Sequence, residues 1–115
     1  MSCIFCKIAS GEIPSDKVYE DKDILAFRDV NPQAPEHVLV IPKKHIVSLN
    51  DISDDESDIR LVGRIFLCIK KIATRTLKLE NGYRVVLNTG ADAGQAVPHI
   101  HFHILGKRKL NWPPG

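Results

Sequence analysis

The sequence predicts an α+β fold: a mostly antiparallel sheet of about five strands, one long helix and a short N-terminal helix. Three observations lead there. Short apolar segments of strand length recur along the chain, one long stretch keeps a 3.6-residue repeat, and tight hairpin-like spacing joins the strands on either side of it.

Taken in order, Cys3–Ser10 forms the short helix, with Ile4, Phe5 and Ile8 on one side and Gly11 as its stop. Lys17–Tyr19 and Ile24–Arg28 read as strands joined by the charged turn Glu20-Asp21-Lys22-Asp23. Asn31-Pro32-Gln33-Ala34-Pro35 cannot be regular structure, because each proline lacks an N–H and restrains its predecessor. His37–Ile41 is the next strand, closed by Pro42. The long helix runs from about Asp54 to Lys78. Ser53 and Glu56 match a capping box, and Asp54 and Asp55 suit the positive end of the helix dipole. Val62, Ile65, Phe66, Ile69, Ile72 and Ala73 then follow the helical repeat, so one face is buried. Lys70, Lys71, Arg75 and Lys78 suit its far end, and Asn81-Gly82 stops it. Strands Tyr83–Asn88 and His99–Leu105 follow, separated by the loop Thr89–Pro98.

The 115 residues fit one domain, 1–115, including a C-terminal tail over 107–115. A chain this short buries only about 65% of the surface its unfolded form exposes, so a dimer interface would help it. A net charge of +2, with Lys and Arg alternating with Asp and Glu, is too mild for a nucleic-acid groove binder. No apolar run approaches the roughly 18 residues of a membrane span. The start, Met1 to Lys7, lacks the pattern of a signal peptide. Three cysteines, an odd number, argue against a secreted disulfide scaffold. The expected location is the cytoplasm, with a nuclear share open to so small a protein.

The informative stretch is His99-Ile100-His101-Phe102-His103-Ile104-Leu105. On a strand, His99, His101 and His103 share one face, while Ile100, Phe102 and Ile104 pack into the core. Three imidazoles are an odd core filling, since each brings two nitrogens that need partners. The bland alternatives are a metal-binding strand or a polar sheet face. The outer pair stands about 13 Å apart at the backbone, so one metal accounts for at most two of the three. A central nucleophile, His101, whose neighbours set its tautomer and protonate a departing group, accounts for all of them. The preceding loop, Asn88-Thr89-Gly90-Ala91-Asp92-Ala93-Gly94-Gln95-Ala96, has the small residues that let backbone N–H groups approach phosphate. A mobile hairpin connection would look the same.

His-x-His-x-His followed by two apolar residues resembles the signature of the histidine triad (HIT) superfamily. Asp29–Pro35, Val40–Ile46 and Trp112-Pro113-Pro114-Gly115 are similar to its nucleotide-binding branch, so the resemblance covers essentially the whole chain. That branch comprises dimeric purine-nucleotide phosphoramidases. The resemblance implies that His101 attacks the α-phosphorus of a nucleoside 5′-phosphoramidate or acyl-adenylate. A covalent nucleotidyl-His101 forms, and water then releases AMP or GMP. His103 hydrogen-bonds phosphate and assists the leaving amine, His99 supports His101 from behind, and Asn88, Gly94 and Gln95 hold the phosphate. The chemistry needs no cofactor. Asp29 holds the ribose, and Ile4, Phe5, Ile8, Phe27 and Val30 form the slot for the base. Read as residues alone, those five are equally well core packing, and Asp29 a turn former. Ala96 departs from the branch, which commonly carries Ser or Thr there in contact with phosphate. The missing hydrogen bond would cost about 1–3 kcal/mol in the transition state. The tail with Trp112 is implied to reach the partner subunit's site.

Cys3-x-x-Cys6 has zinc-ligand spacing. By resemblance to triad proteins with this pair, Cys3, Cys6, His45 and His99 form a closed structural zinc site that also orients the His101 segment. A redox pair and two buried thiols compete with it. Cys68 reads as a small core residue, and His37, on a neighbouring strand, reads as a satisfied structural histidine first and as support for the triad second. Two further functions stay open: a dinucleoside polyphosphate hydrolase on the same fold, and a nucleotide-binding regulatory protein with incidental catalysis. Adenosine and guanosine are not distinguished.

Overall fold

Both faces of a five-stranded sheet are covered, and the sequence shows why. In the computed structural model, which describes residues 3–115, the strands are β1 (Lys17–Glu20), β2 (Ile24–Arg28), β3 (Glu36–Pro42), β4 (Tyr83–Leu87) and β5 (Phe102–Gly106). Met1 and Ser2 of the expected 1–115 domain lie outside the described residues. The strand order is β1-β2-β3-β5-β4, and every neighbouring pair is antiparallel. Leu25 and Ala26 are adjacent and both 0% exposed, so β2 reads as a continuous apolar run rather than an alternating one.

On one face, Ile24, Ala26, Val38, Val40, Phe102 and Ile104 pack against Ile65, Cys68 and Ile69 of helix α2 (Glu56–Lys71). On the other, Leu25, Phe27, Leu39 and Ile41 meet Phe5 and Ile8 of helix α1 (Ile4–Ser10). Each such side chain contributes about 1.5–3 kcal/mol when fully buried. Seven residues are too few for a helix to stand alone, so α1 depends on this docking. Gly11 ends it in the left-handed conformation, φ 87°, and its N–H donates to the Ile8 carbonyl at 3.2 Å.

The expected fold class is what forms, with local differences. The Ser53–Glu56 capping box does not form, because α2 begins at Glu56 behind Asp55. Instead the Ser53 hydroxyl accepts the Asp55 N–H at 3.2 Å, and the Ser53 N–H donates to the Asp58 carboxylate at 2.9 Å. The same carboxylate accepts from Lys44 at 2.6 Å, which ties the start of α2 to the segment carrying His45. The helical run stays α-helical only to Lys71, and Ile72–Thr76 follow as a π-turn. That turn places residues five apart on one side, which lets Leu77 bury beside Ile72.

The last strand starts at Phe102 rather than His99. The His99 N–H bonds the Val97 carbonyl at 2.9 Å, and the Ile100 N–H bonds the Ile46 carbonyl at 2.7 Å. His99 and His101 therefore sit on a lead-in tied to the loop after β3, outside the ladder, and only His103 lies within it. The alternation survives: Ile100, Phe102 and Ile104 all lie in the α2-side core. Among the described residues, no helix is long and apolar enough to cross a membrane.

Candidate active site

The lead-in and β5 bring three imidazoles into one row. His101 is buried, and its ring lies 5.1 Å from that of Phe5 and 5.2 Å from that of His103. The His101 Nδ1 is 2.8 Å from the His99 carbonyl oxygen. A carbonyl only accepts, so the proton sits on Nδ1 and the neutral ring keeps its lone pair on Nε2. An imidazole held this way can attack an electrophile.

His103 is held from β3. Leu39 stands opposite His103 in the ladder and His37 opposite Leu105, so His37 is the diagonal neighbour of His103 on the same face. His37 Nε2 lies 2.9 Å from His103 Nδ1 and 3.5 Å from Asp29 Oδ2. Burial, and then the neighbouring His101, push His103 down to about 4, so it is neutral near pH 7. Its Nε2 is buried and has no hydrogen-bond partner among the described residues.

The ring of His99 lies on the same side, 6.0 Å from that of Phe5, but its nitrogens meet other partners. Cys3, Cys6, His45 and His99 converge, their ligand atoms all within 4.8 Å of one another. Cys3 Sγ lies 3.3 Å from His99 Nδ1, Cys6 Sγ 3.3 Å from His45 Nδ1 and 3.5 Å from His99 Nδ1, and the two Nδ1 atoms are 3.2 Å apart. Tetrahedral zinc with ordinary bond lengths requires about 3.3–3.4 Å between nitrogens and about 3.5–3.6 Å between nitrogen and sulfur. The set fits. His99 Nε2 donates to the Pro42 carbonyl at 2.8 Å, which leaves the lone pair on Nδ1, inside the cluster. Burial, and then the Cys3 sulfur, push the Cys6 thiol up, so Cys6 resists ionising unless a cation lies beside it.

The remaining expected site residues divide. Phe5, Ile8 and Phe27 are buried in the α1-side core, whereas Ile4 is 47% and Val30 101% exposed. Asp29 Oδ1 accepts the Asn31 N–H at 2.8 Å, so the carboxylate does form a turn, and its Oδ2 faces His37. Asn88 is half-buried just past the end of β4. Gly94 donates to Ala91 at 3.0 Å and Gln95 to Gly90 at 3.1 Å, closing the loop on itself. The Gln95 side chain donates to the carbonyls of Val47 at 2.7 Å and Val97 at 3.0 Å and accepts the Gly90 N–H at 3.0 Å. Ala96 is exposed beside it. A cleft of about 710 Å³ between residues 78–84 and 107–110 includes none of these residues. His37 is the residue that sequence reasoning undervalued. Its signal was the His37, Leu39, Ile41 alternation, which needs the β3–β5 register before it points at His103.

The HIT domain family profile matches residues 10–110, and the chain belongs to that family. It is 49% identical over 112 residues to a 14 kDa zinc-binding protein of Zea mays, covering 97% of this chain and 87% of that protein. The crystal structure of a HIT family hydrolase from Legionella pneumophila is similar throughout, with TM-score 0.94, 54% identity, and coverage of 99% of this chain and 100% of that one. A histidine triad nucleotide-binding protein from Candida albicans is 39% identical with TM-score 0.81, over 97% of this chain and 83% of that one.

Because His103 titrates near 4 when folded and near 6.5 when free, the unfolded chain binds the first proton as pH falls. Stability is expected to be full above pH 6.5 and to drop progressively towards pH 4. Denaturant titrations across that range should show the drop, and His103→Gln should reduce it, the remainder coming from His37 and His99, which burial also holds below the free value.

Proposed function

We propose that the protein is a purine nucleotide hydrolase of phosphoramidase type, with His101 as nucleophile. The observation that carries this is the Nδ1–H of His101 on the His99 carbonyl, 2.8 Å away, which leaves the lone pair of the neutral ring on Nε2. The similarity to proteins named as HIT family hydrolases and as a histidine triad nucleotide-binding protein supports the reaction class and the ligand.

In this reading, His101 Nε2 attacks the α-phosphorus of a nucleoside 5′-phosphoramidate or acyl-adenylate. The P–N or P–O bond to the leaving group breaks as that group takes a proton, and His103 beside it assists the transfer. Water then cleaves the nucleotidyl-His101 bond and releases AMP or GMP, returning the neutral imidazole. Splitting one displacement into two lowers each barrier. Asp29 would hold the ribose, Ile4, Phe5, Ile8, Phe27 and Val30 the base, and Asn88, Gly94 and Gln95 the phosphate. Ala96 supplies no hydroxyl to that phosphate, which favours, as a second reading, a nucleotide-binding regulatory role with slow catalysis.

Cys3, Cys6, His45 and His99 would hold zinc, supported by the fit of their distances and by the zinc-binding relative. Four protein ligands leave no open position, so the metal supplies rigidity and takes no part in a step. A homodimer is supported by Phe66 on α2, 53% exposed, whose ring packs on Phe102 of β5 next to the edge strand β4.

Wild-type protein is expected to release AMP from adenosine 5′-phosphoramidate, and His101→Ala to lose at least about a thousandfold in rate. Activity that persists in the variant rules out His101 as nucleophile. Zinc analysis should find about one equivalent per chain and much less in Cys6→Ser; less than half an equivalent in wild type removes the site. Light scattering should give the mass of two chains, and of one chain for Phe66→Glu. A wild-type monomer would contradict the dimer.

A further inference from the structure

The hydrogen bonds around His103 continue backwards into β3 and the proline loop, and each carries a direction. The Gln33 backbone N–H donates to His37 Nδ1 at 3.0 Å. That nitrogen must therefore hold a lone pair, and the His37 proton sits on Nε2. Both groups facing Nε2 agree with this. Asp29 Oδ2, at 3.5 Å, only accepts, and His103 Nδ1 is at 2.9 Å. With His37 donating, His103 Nδ1 accepts, and the one proton of neutral His103 is forced onto Nε2. That N–H is a buried donor with no hydrogen-bond partner among the described residues.

The ligand atoms of Asp29, His37 and His103 also lie within 4.8 Å of one another, a spacing that a divalent cation could bridge. The Gln33 N–H decides against it. A cation on Nε2 would drive the His37 proton to Nδ1, where it would point at another N–H, donor against donor. Hydrogen bonds satisfy every atom of the chain except its last, and a cation would not.

We propose that His37 is a positioning residue: it locks His103 in the tautomer that presents an Nε2–H donor, so a phosphate oxygen of the bound nucleotide is met by a donor and not by a lone pair. This rests on the nucleotide reading above only for the identity of the acceptor. The tautomer follows from the protein alone. Without His37 the two neutral forms of His103 become close in energy, and the form with its lone pair on Nε2 repels an anion. The effect is confined to phosphate, since the nucleoside part of the ligand makes no use of that nitrogen.

Two variants separate this from a packing role. His37→Asn keeps an acceptor for the Gln33 N–H and removes the donor to His103. His37→Gln sets an amide N–H near the former Nε2 and restores it. Imidazole ¹⁵N spectra of the wild type should show His103 protonated on Nε2 and bare on Nδ1, and a mixture in His37→Asn. Calorimetry should show AMP binding weakened at least about tenfold in His37→Asn with adenosine binding unchanged, and wild-type selectivity in His37→Gln. A proton on His103 Nδ1 in the wild type overturns the proposal. So does equal weakening of AMP and adenosine, which would mark a merely structural residue. Should the wild type bind neither compound, the nucleotide reading fails, and the imidazole spectrum alone decides the tautomer.

Discussion

The peptide carbonyl of His99 is where the two halves of this protein meet. It accepts the Nδ1–H of His101 at 2.8 Å, while the imidazole of the same residue meets other partners, with Nδ1 among Cys3, Cys6 and His45 and Nε2–H on Pro42. The orientation of His101, the proposed nucleophile, is therefore set by a backbone group, and the side chain on that backbone is fixed at both nitrogens. A rotation of residue 99 would move both together. Pinning by a 0%-exposed ring limits the angular freedom of His101 more than a lone hydrogen bond can.

The sheet makes this arrangement possible by having two different faces. The α2 side is wholly apolar and carries most of the core. The other side is covered only in part by the short α1, and the row of imidazoles occupies the space that α1 leaves. Phe5 serves both, packing on Phe27 at 5.6 Å and edge-on to His101 at 5.1 Å. The N-cap of α1 is itself Cys3, so the element that closes the apolar face also brings two sulfurs to His45 and His99.

Periodicity made the fold class legible, because two covered faces and one long amphipathic helix leave clear marks in sequence. The faults were local. A capping-box pattern at Ser53–Glu56 is independent of context, but Asp58, drawn by Lys44, took the role. The π-turn left no mark, since α and π turns suit the same residues at Ile72–Thr76. Alternation placed His99, His101 and His103 on one side correctly but did not show that pairing starts only at Phe102. His37 was ranked as structural for another reason. Its partner lies 66 positions away, and a single sequence holds no register between β3 and β5.

The loop between β4 and the histidines has a consequence for how a ligand enters. Its backbone donors at Gly94 and Gln95 already have carbonyl partners, and the Gln95 amide latches the loop to Val47 and Val97. A phosphate held at Gly94 and Gln95, as proposed, would have to trade places with those bonds, so occupancy would be an exchange in which little is gained in number and selectivity comes from the difference in strength. Bonds to a charged oxygen are the stronger, so that exchange would favour anions over neutral groups.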